Sequence, residues 1–243
     1  WLIAKYISEH SEAKVIFNGD GADELMGGYL YMKHAGNCVE FDKECKRLLT
    51  NIHQFDVLRS DRCISSHGLE PRTPFLDRTW VNYYLSLPFT LRYSKDDQEK
   101  YLIRKAFDQE HFSNREGISL LPPNILWRRK EAFSDGVASE KNTTREIIYK
   151  HIHSLDSHAQ FVTLFNDSNI DNKENILKLV KAVPETKHIT HLLPETLEQF
   201  YYRYIFEIHY KGCGKVIPYF WMPNYVKAQD SSARSLDIYK DTI

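Results

Sequence analysis

The most constraining feature of the chain is the stretch from residue 15 to residue 31, VIFNGDGADELMGGYLY. Its first three residues, 15–17, form a short apolar run that is typical of a strand buried on both faces. Residues 18–21, Asn-Gly-Asp-Gly, predict a turn, because glycine can adopt positive φ and leaves no Cβ beside a bound group. Asp23 and Glu24 then open a predicted helix, where acidic side chains suit the positive end of the helix dipole.

A strand, a glycine-rich turn and a helix start are the parts from which α/β enzymes build nucleotide sites at the ends of strands. Asp20 and Asp23 would by themselves repel a phosphate, so a bridging Mg²⁺ is the natural way to reconcile the acids with a nucleotide. An acidic turn that only caps a helix has the same pattern. Short motifs of glycine and aspartate are promiscuous, and both interpretations stay open on spacing alone.

Several ordered blocks narrow the choice. The stretch from Gly19 to Tyr31 resembles a signature of glutamine-dependent asparagine synthetases, which runs Gly, Asp or Glu, Gly, Ala or Ser, Asp, Glu and ends Gly-Tyr-x-Tyr. The similarity continues in register through FDVLR at 55–59, LEPRTPFLD at 69–77, WRRKEAFSDGV at 127–137, YYRYIFE at 201–207 and SARS at 232–235.

The resemblance implies an α/β fold, the Rossmann-like fold of ATP pyrophosphatases, with this chain predominantly α-helical. Residues 15–17 would be the last inner strand of the sheet, with an unpaired edge that is prone to association. The family's N-terminal glutaminase domain and its Ser-Gly-Gly-x-Asp-Ser pyrophosphate loop do not occur in these 243 residues. We therefore expect a C-terminal portion that is inactive alone, with residues 1–138 holding half of the nucleotide site and 139–243 forming a helical extension and tail.

The chemistry that the resemblance implies is amide synthesis from a carboxylate. ATP adenylates the aspartate side chain and releases pyrophosphate, and ammonia derived from glutamine then attacks the β-aspartyl-AMP. By the resemblance, Asp20 and Lys130 are catalytic: Asp20 assists adenylation and accepts the ammonia proton, and Lys130 holds the departing pyrophosphate. Asn18 and Gly19 fall at the ATP-binding turn, although the family usually has Ser-Gly there. Asp23 matches the ligand of a Mg²⁺–pyrophosphate complex.

Residues outside that constellation are assigned supporting roles. Asp56 and Arg59, three positions apart, predict an ion pair on a helix that supports the site. Glu24 is interpreted as a structural carboxylate. Two more helices are predicted. One runs from residue 98 to residue 107, and one has Pro194 in its first turn and an apolar stripe that belongs to the core.

Composition bounds the remaining possibilities. The net charge is −1 and no basic stretch is sustained, which does not support nucleic-acid binding. No apolar segment approaches the roughly 20 residues of a membrane span. The four cysteines lack metal-ligand or disulfide-scaffold spacing, which indicates reduced thiols in a cytoplasmic protein. The expected partners are aspartate, ATP and ammonia, the glutaminase domain and a second copy in a homodimer.

Two other interpretations remain open. The chain also matches a β-lactam-forming or other amide-forming synthetase of the same superfamily, in which the lysine and the acidic turn recur. A non-catalytic remnant that acts through binding is the other.

Overall fold

A computed structural model describes residues 1–93, 98–108, 112–115, 117–128, 130, 144–154 and 172–228. These residues divide into two compact units, one formed by Trp1–Lys130 with the chain from Trp221 onward, and one within Glu131–Phe220. The predicted domain boundary at residues 138 and 139 lies outside the described residues and stays a prediction. No helix among the described residues is both long and apolar enough to cross a bilayer.

The first unit is mostly helical and carries one small sheet. Its elements are α1 Leu2–His10, β1 Val15–Phe17, α2 Ala22–Met26, α3 Cys38–Asn51, α4 Asp56–Ser65, β2 Glu70–Arg72, α5 Arg78–Ser86, α6 Phe89–Arg92, α7 Tyr101–Ala106 and α8 Pro123–Leu126. Short 3-10 turns at Leu30–His34, Ile52–Gln54 and Pro74–Leu76 join them. This arrangement agrees with part of an α/β domain, and the finer Rossmann-like topology would require more strands than the described residues contain.

The predicted strand at 15–17 exists, but it is not buried on both faces. Val15 is 45% exposed and Phe17 is 75% exposed. β1 pairs in parallel with β2, Val15 lying opposite Glu70 and Phe17 opposite Arg72. β2 pairs with β1 along one edge and covers neither of its faces. Val15 and Phe17 therefore stay exposed, and the prediction of burial on both faces was wrong.

Side-chain caps fix where two of the longer helices begin. Asn37 precedes α3, and its Oδ1 accepts hydrogen bonds from the backbone amides of Val39 and Glu40. Asp77 precedes α5 and accepts from the amides of Thr79 and Trp80 in the same way. Such caps satisfy amides that have no partner inside the helix. Asp77 therefore has a structural role at the start of α5.

The core of the first unit surrounds α2. Leu25 and Met26 are buried against Tyr84 of α5 and against hydrophobic residues of α5 and α7. A neighbouring cluster joins the 3-10 turn at Leu30–His34 to α3 and to Trp221 of the returning chain. The short helix α2, which carries Asp23 and Glu24, is therefore stabilised by packing on several sides, because a helix of five residues is not stable by itself.

The described residues of the second unit form α9 Thr144–Ser154, α10 Lys173–Ala182 and α11 Leu197–His209, followed by a 3-10 turn at Cys213–Val216. Thr196 caps α11, which begins at Leu197, so Pro194 lies before the helix and not in its first turn as predicted. Leu197 and Phe200 are fully buried in the core, whereas Ile208 is 47% exposed. Tyr204 still packs against this core, whereas Ile205 is 37% exposed, so the last two apolar residues of the predicted stripe lie outside the core.

Candidate active site

The turn at residues 18–21 starts where the parallel pairing ends. The amide of Asn18 donates to the carbonyl oxygen of Arg72 at 2.9 Å, which extends the pairing of β1 with β2 by one residue. Gly21 has φ +88, and a Cβ there would lie 2.2 Å from Cδ2 of Leu76. Gly21 is thus required both by its backbone and by its neighbour. The structure therefore joins the 69–77 block to the glycine-rich turn.

Asn18 and Asp20 leave polar atoms without partners. Asn18 Oδ1 accepts from the amide of Asp20 at 3.1 Å. Asn18 Nδ2 and Asp20 Oδ2 are buried and have no hydrogen-bond partner among the described residues. Asp20 also forms no ion pair within the described part of the chain. An unsatisfied donor and an unsatisfied acceptor lie on the same turn, and buried polar atoms normally have partners.

Asp23, Lys100 and Lys130 form a cluster of charged side chains, here called the charged cluster, with Asp23 at its centre. Lys100 Nζ donates to Asp23 Oδ1 at 2.6 Å, and Lys130 Nζ donates to Asp23 Oδ2 at 2.6 Å. All three side chains are about one-fifth exposed, with values of 20%, 20% and 19% for Asp23, Lys100 and Lys130. Burial opposes ionisation of Asp23, but the two ammonium groups outweigh it and hold its pKa below the usual value. The cluster carries one excess positive charge.

Gly28 makes room for the Asp23 side chain. A Cβ at Gly28 would lie 1.9 Å from Asp23 Oδ1 and 2.9 Å from Asp23 Cα. The glycine follows α2, and its amide donates to the carbonyl oxygen of Asp23 at 2.8 Å. The second glycine of the Gly-Gly pair is thus needed for close approach and not for positive φ.

A buried acid–phenol pair lies on the other side of the cluster. The hydroxyl of Tyr29 donates to Glu24 Oε1, and Lys130 Nζ lies 5.8 Å from the centre of the Tyr29 ring. Burial, with nearby Asp56, raises the pKa of Glu24 to about 7 although the Tyr29 hydrogen bond favours the charged form. This geometry is consistent with the structural role assigned to Glu24.

The predicted pair of Asp56 and Arg59 is confirmed as an ion pair on α4, with 2.5 Å between Arg59 Nη2 and Asp56 Oδ1. Arg59 is 67% exposed and points its charge toward solvent as well. The negative charge of Asp56 contributes to the raised pKa of both Glu24 and Tyr29, so Asp56 lies near this pair. Its supporting role in the site remains a prediction.

Lys100 is the residue that the sequence did not reveal. It has φ +58, in the left-handed region that residues other than glycine rarely adopt, and it directly precedes α7. The prediction of a helix from residue 98 hid it, since α7 begins only at Tyr101. A lysine with no motif around it offers no signal in a single sequence.

The arrangement can bind an anion beside one carboxylate. Within the described part of the chain, no group of three or more His, Cys, Asp or Glu side chains could hold a metal ion by itself. Residues 129 and 131–137 of the lysine block lie outside the described residues. The structure brings together Asp23, Lys100 and Lys130, and it places Asn18 and Asp20 on the preceding turn.

Comparison with known proteins identifies relatives for the whole of this chain. The sequence model of the asparagine synthase family matches residues 1–40 and 35–178. The chain is 42% identical over 243 residues to the asparagine synthetase (glutamine-hydrolyzing) of Gallus gallus. It is 40% identical to the rat protein of that name and 39% identical to the human one, all of this chain being aligned in each case. The chain spans 38% of the length of these relatives.

Proposed function

Because the chain belongs to the asparagine synthase family, we propose that it forms the pyrophosphate-handling part of a glutamine-hydrolysing asparagine synthetase. The substrates are ATP, aspartate and ammonia derived from glutamine, and the products are asparagine, AMP and pyrophosphate. The names of the relatives favour asparagine synthesis over other amide- or β-lactam-forming reactions. The expected partner of this part is an N-terminal glutaminase domain. The cytoplasmic location and the homodimer remain proposals that fractionation and light scattering would test.

One observation carries the proposal: two lysine ammonium groups converge on a single, largely buried carboxylate, that of Asp23. When the aspartate carboxylate attacks the α-phosphorus of ATP, the bond to pyrophosphate breaks and negative charge accumulates on the leaving group. Lys130, as a flexible point charge, suits a phosphate that must first bind and then leave. Its preorganised position stabilises charge that develops in the transition state.

Asn18 and Asp20 have atoms free for substrate. The unpartnered Asn18 Nδ2 is a donor suited to a nucleotide acceptor group, next to the exposed Gly19. The unpartnered Asp20 Oδ2 is an acceptor, and a carboxylate at this turn can take the proton that ammonia loses on forming the amide bond. Asp20 would hold that proton after the AMP oxygen leaves the carbonyl carbon.

Mg²⁺ fits Asp23 as a single protein carboxylate, because this ion often keeps several waters and takes its other ligands from phosphate oxygens. When bound, it would neutralise charge on the departing pyrophosphate. Asp23 cannot bind the ion and keep both of its present lysine contacts unchanged, so Lys100 and Lys130 are the groups available to turn toward phosphate.

The test is Lys130→Ala in a full-length synthetase that carries these residues, assayed with ammonia as nitrogen source. We expect kcat for pyrophosphate release to fall on the order of 100-fold, as for other preorganised electrostatic groups. Lys130→Arg should restore only part of the rate, because a planar guanidinium does not reproduce a compact ammonium. Lys43→Ala is the matched control, since Lys43 is 66% exposed and pairs with Glu40 on the surface of α3. If Lys130→Ala is as active as Lys43→Ala, the cluster of Asp23, Lys100 and Lys130 has a structural role only, and the non-catalytic interpretation is favoured.

A further inference from the structure

The chain around Lys130 is held by side chains in place of regular secondary structure. The described residues that follow α8, at positions 127, 128 and 130, belong to no helix or strand. Gln98 Nε2 donates to the carbonyl oxygens of Trp127 and of Arg128, at 2.8 Å in both cases. One amide group thus fixes two consecutive peptide units just before Lys130.

Two more bonds come from residues close to Gln98. Glu99 Oε1 accepts from the backbone amide of Lys130 at 2.8 Å. Arg104 donates to the carbonyl oxygen of Leu126 through Nη1, and to Glu99 Oε1 through Nη2 at 3.2 Å. The Glu99 and Arg104 side chains are 3% and 13% exposed, so water competes little for these bonds. The charge of each is balanced by the other.

The same segment also supplies the second ammonium of the cluster. Lys100 lies between Glu99 and α7 in a left-handed backbone conformation, and its Nζ contacts Asp23 Oδ1. Rare backbone conformations of this kind persist where the surrounding structure over-determines them, and they concentrate at functional sites. Residues 98–104 therefore control the positions of both lysines that meet at Asp23.

We propose that Gln98, Glu99 and Arg104, here called the clamp, are positioning residues that hold the Lys130 ammonium in place for pyrophosphate. The hydrogen bonds from the clamp to residues 126–130 reach backbone groups and not the Lys130 side chain. They therefore fix the backbone of Lys130, while its ammonium group can still exchange Asp23 for a phosphate. The inference rests on the proposed function of Lys130.

The test variant is Gln98→Met, which keeps the side-chain volume and removes the donor to Trp127 and Arg128. In the full-length synthetase with ammonia, we expect kcat to fall about 10-fold with KM for aspartate unchanged. We also expect hydrogen exchange of the Lys130 amide to become at least about 10-fold faster relative to the amides of α3 in the same sample. Gln199→Met, which makes the same change in the second unit where Gln199 accepts from the amide of Glu195, should leave both measurements as in the wild type.

The outcomes separate the clamp from the function. If Gln98→Met leaves kcat and the relative exchange of Lys130 unchanged while Lys130→Ala lowers kcat, the clamp is refuted and the function of Lys130 stands. If Lys130→Ala leaves kcat unchanged, the proposed function itself is refuted. If Gln98→Met accelerates exchange in α3 and at Lys130 equally, Gln98 supports the fold in general and the positioning role is wrong.

Discussion

Gly28→Ala tests whether the fold depends on the space that Gly28 leaves for the Asp23 side chain. The new Cβ would lie 1.9 Å from Asp23 Oδ1 and 2.7 Å from Cγ, so the carboxylate must rotate away from Lys100 and Lys130. It would also lie 2.9 Å from Asp23 Cα, which a side-chain rotation cannot relieve. Overpacking of this kind costs about 1–3 kcal/mol. Loss of hydrogen bonds to charged groups adds about 1.5–3 kcal/mol. The lower backbone entropy of alanine in the unfolded chain returns about 0.4–1 kcal/mol.

We therefore expect Gly28→Ala to lower the free energy of unfolding by about 2–5 kcal/mol, a large share of the roughly 5–15 kcal/mol typical of a domain. Urea titration followed by tryptophan fluorescence measures it. Gly36→Ala is the matched control, because a Cβ there meets nothing within 4 Å, and it should change stability by less than about 1 kcal/mol.

A double-mutant cycle sharpens the test. If the alanine acts by displacing the carboxylate, Asp23→Asn should cost clearly less in the Gly28→Ala background than in the wild type. Equal unfolding free energies for Gly28→Ala and Gly36→Ala, or strict additivity with Asp23→Asn, would refute the reasoning from space.

Three further predictions concern charged groups. Asp23 has a lowered pKa, so its carboxylate stabilises the fold above its unfolded pKa and this contribution is lost as the pH falls through the lower folded pKa. Asp23→Asn should therefore cost about 3 kcal/mol in urea titration at pH 7 and progressively less below about pH 4, and a difference independent of pH would contradict this. Asp20→Asn should abolish most ammonia-dependent amide formation in the full-length enzyme while Asp20→Glu retains it, and equal rates for the two variants would exclude a proton-accepting role. Glu207→Gln should destabilise the second unit by about 3 kcal/mol, because the fully buried Glu207 carboxylate accepts hydrogen bonds from Arg203, His188 and the amide of Gly212. Glu174 is exposed, so Glu174→Gln, the control, should leave the urea midpoint unchanged.

The local parts of the site could be predicted because their information is local. The order of strand, turn and helix at 15–26 follows from apolar, glycine and acidic residues that are neighbours in sequence, and the structure confirms that order. The (i, i+3) spacing of Asp56 and Arg59 likewise predicts their ion pair. The place of Lys130 came from resemblance to a family, which contains information that no spacing in this chain holds.

The features that the sequence did not predict depend on contacts between residues that are distant in sequence. β2 consists of Glu70, Pro71 and Arg72, which show none of the β-branched or aromatic residues typical of strands. It is a strand only because β1 lies beside it. Lys100 belongs to the site because residues 98–104 bond to 126–130, and a left-handed lysine has no pattern in sequence. The apolar stripe of α11 predicted a helix correctly, but it did not indicate that Ile205 and Ile208 would be exposed.

The parallel pairing of β1 with β2 has a consequence for how the chain folds. A hairpin can close on its own, but β1 and β2 are joined through α2, α3 and α4, so the intervening helices must be organised before Val15 meets Glu70. Contacts between residues so distant in sequence cost loop-closure entropy before they stabilise anything, and they slow folding. The amide of Asn18 finds the carbonyl of Arg72 only after that closure. We therefore expect the turn that carries Asn18 and Asp20 to form late in folding, and substitutions within α3 and α4 that touch no substrate should delay the recovery of this turn during refolding.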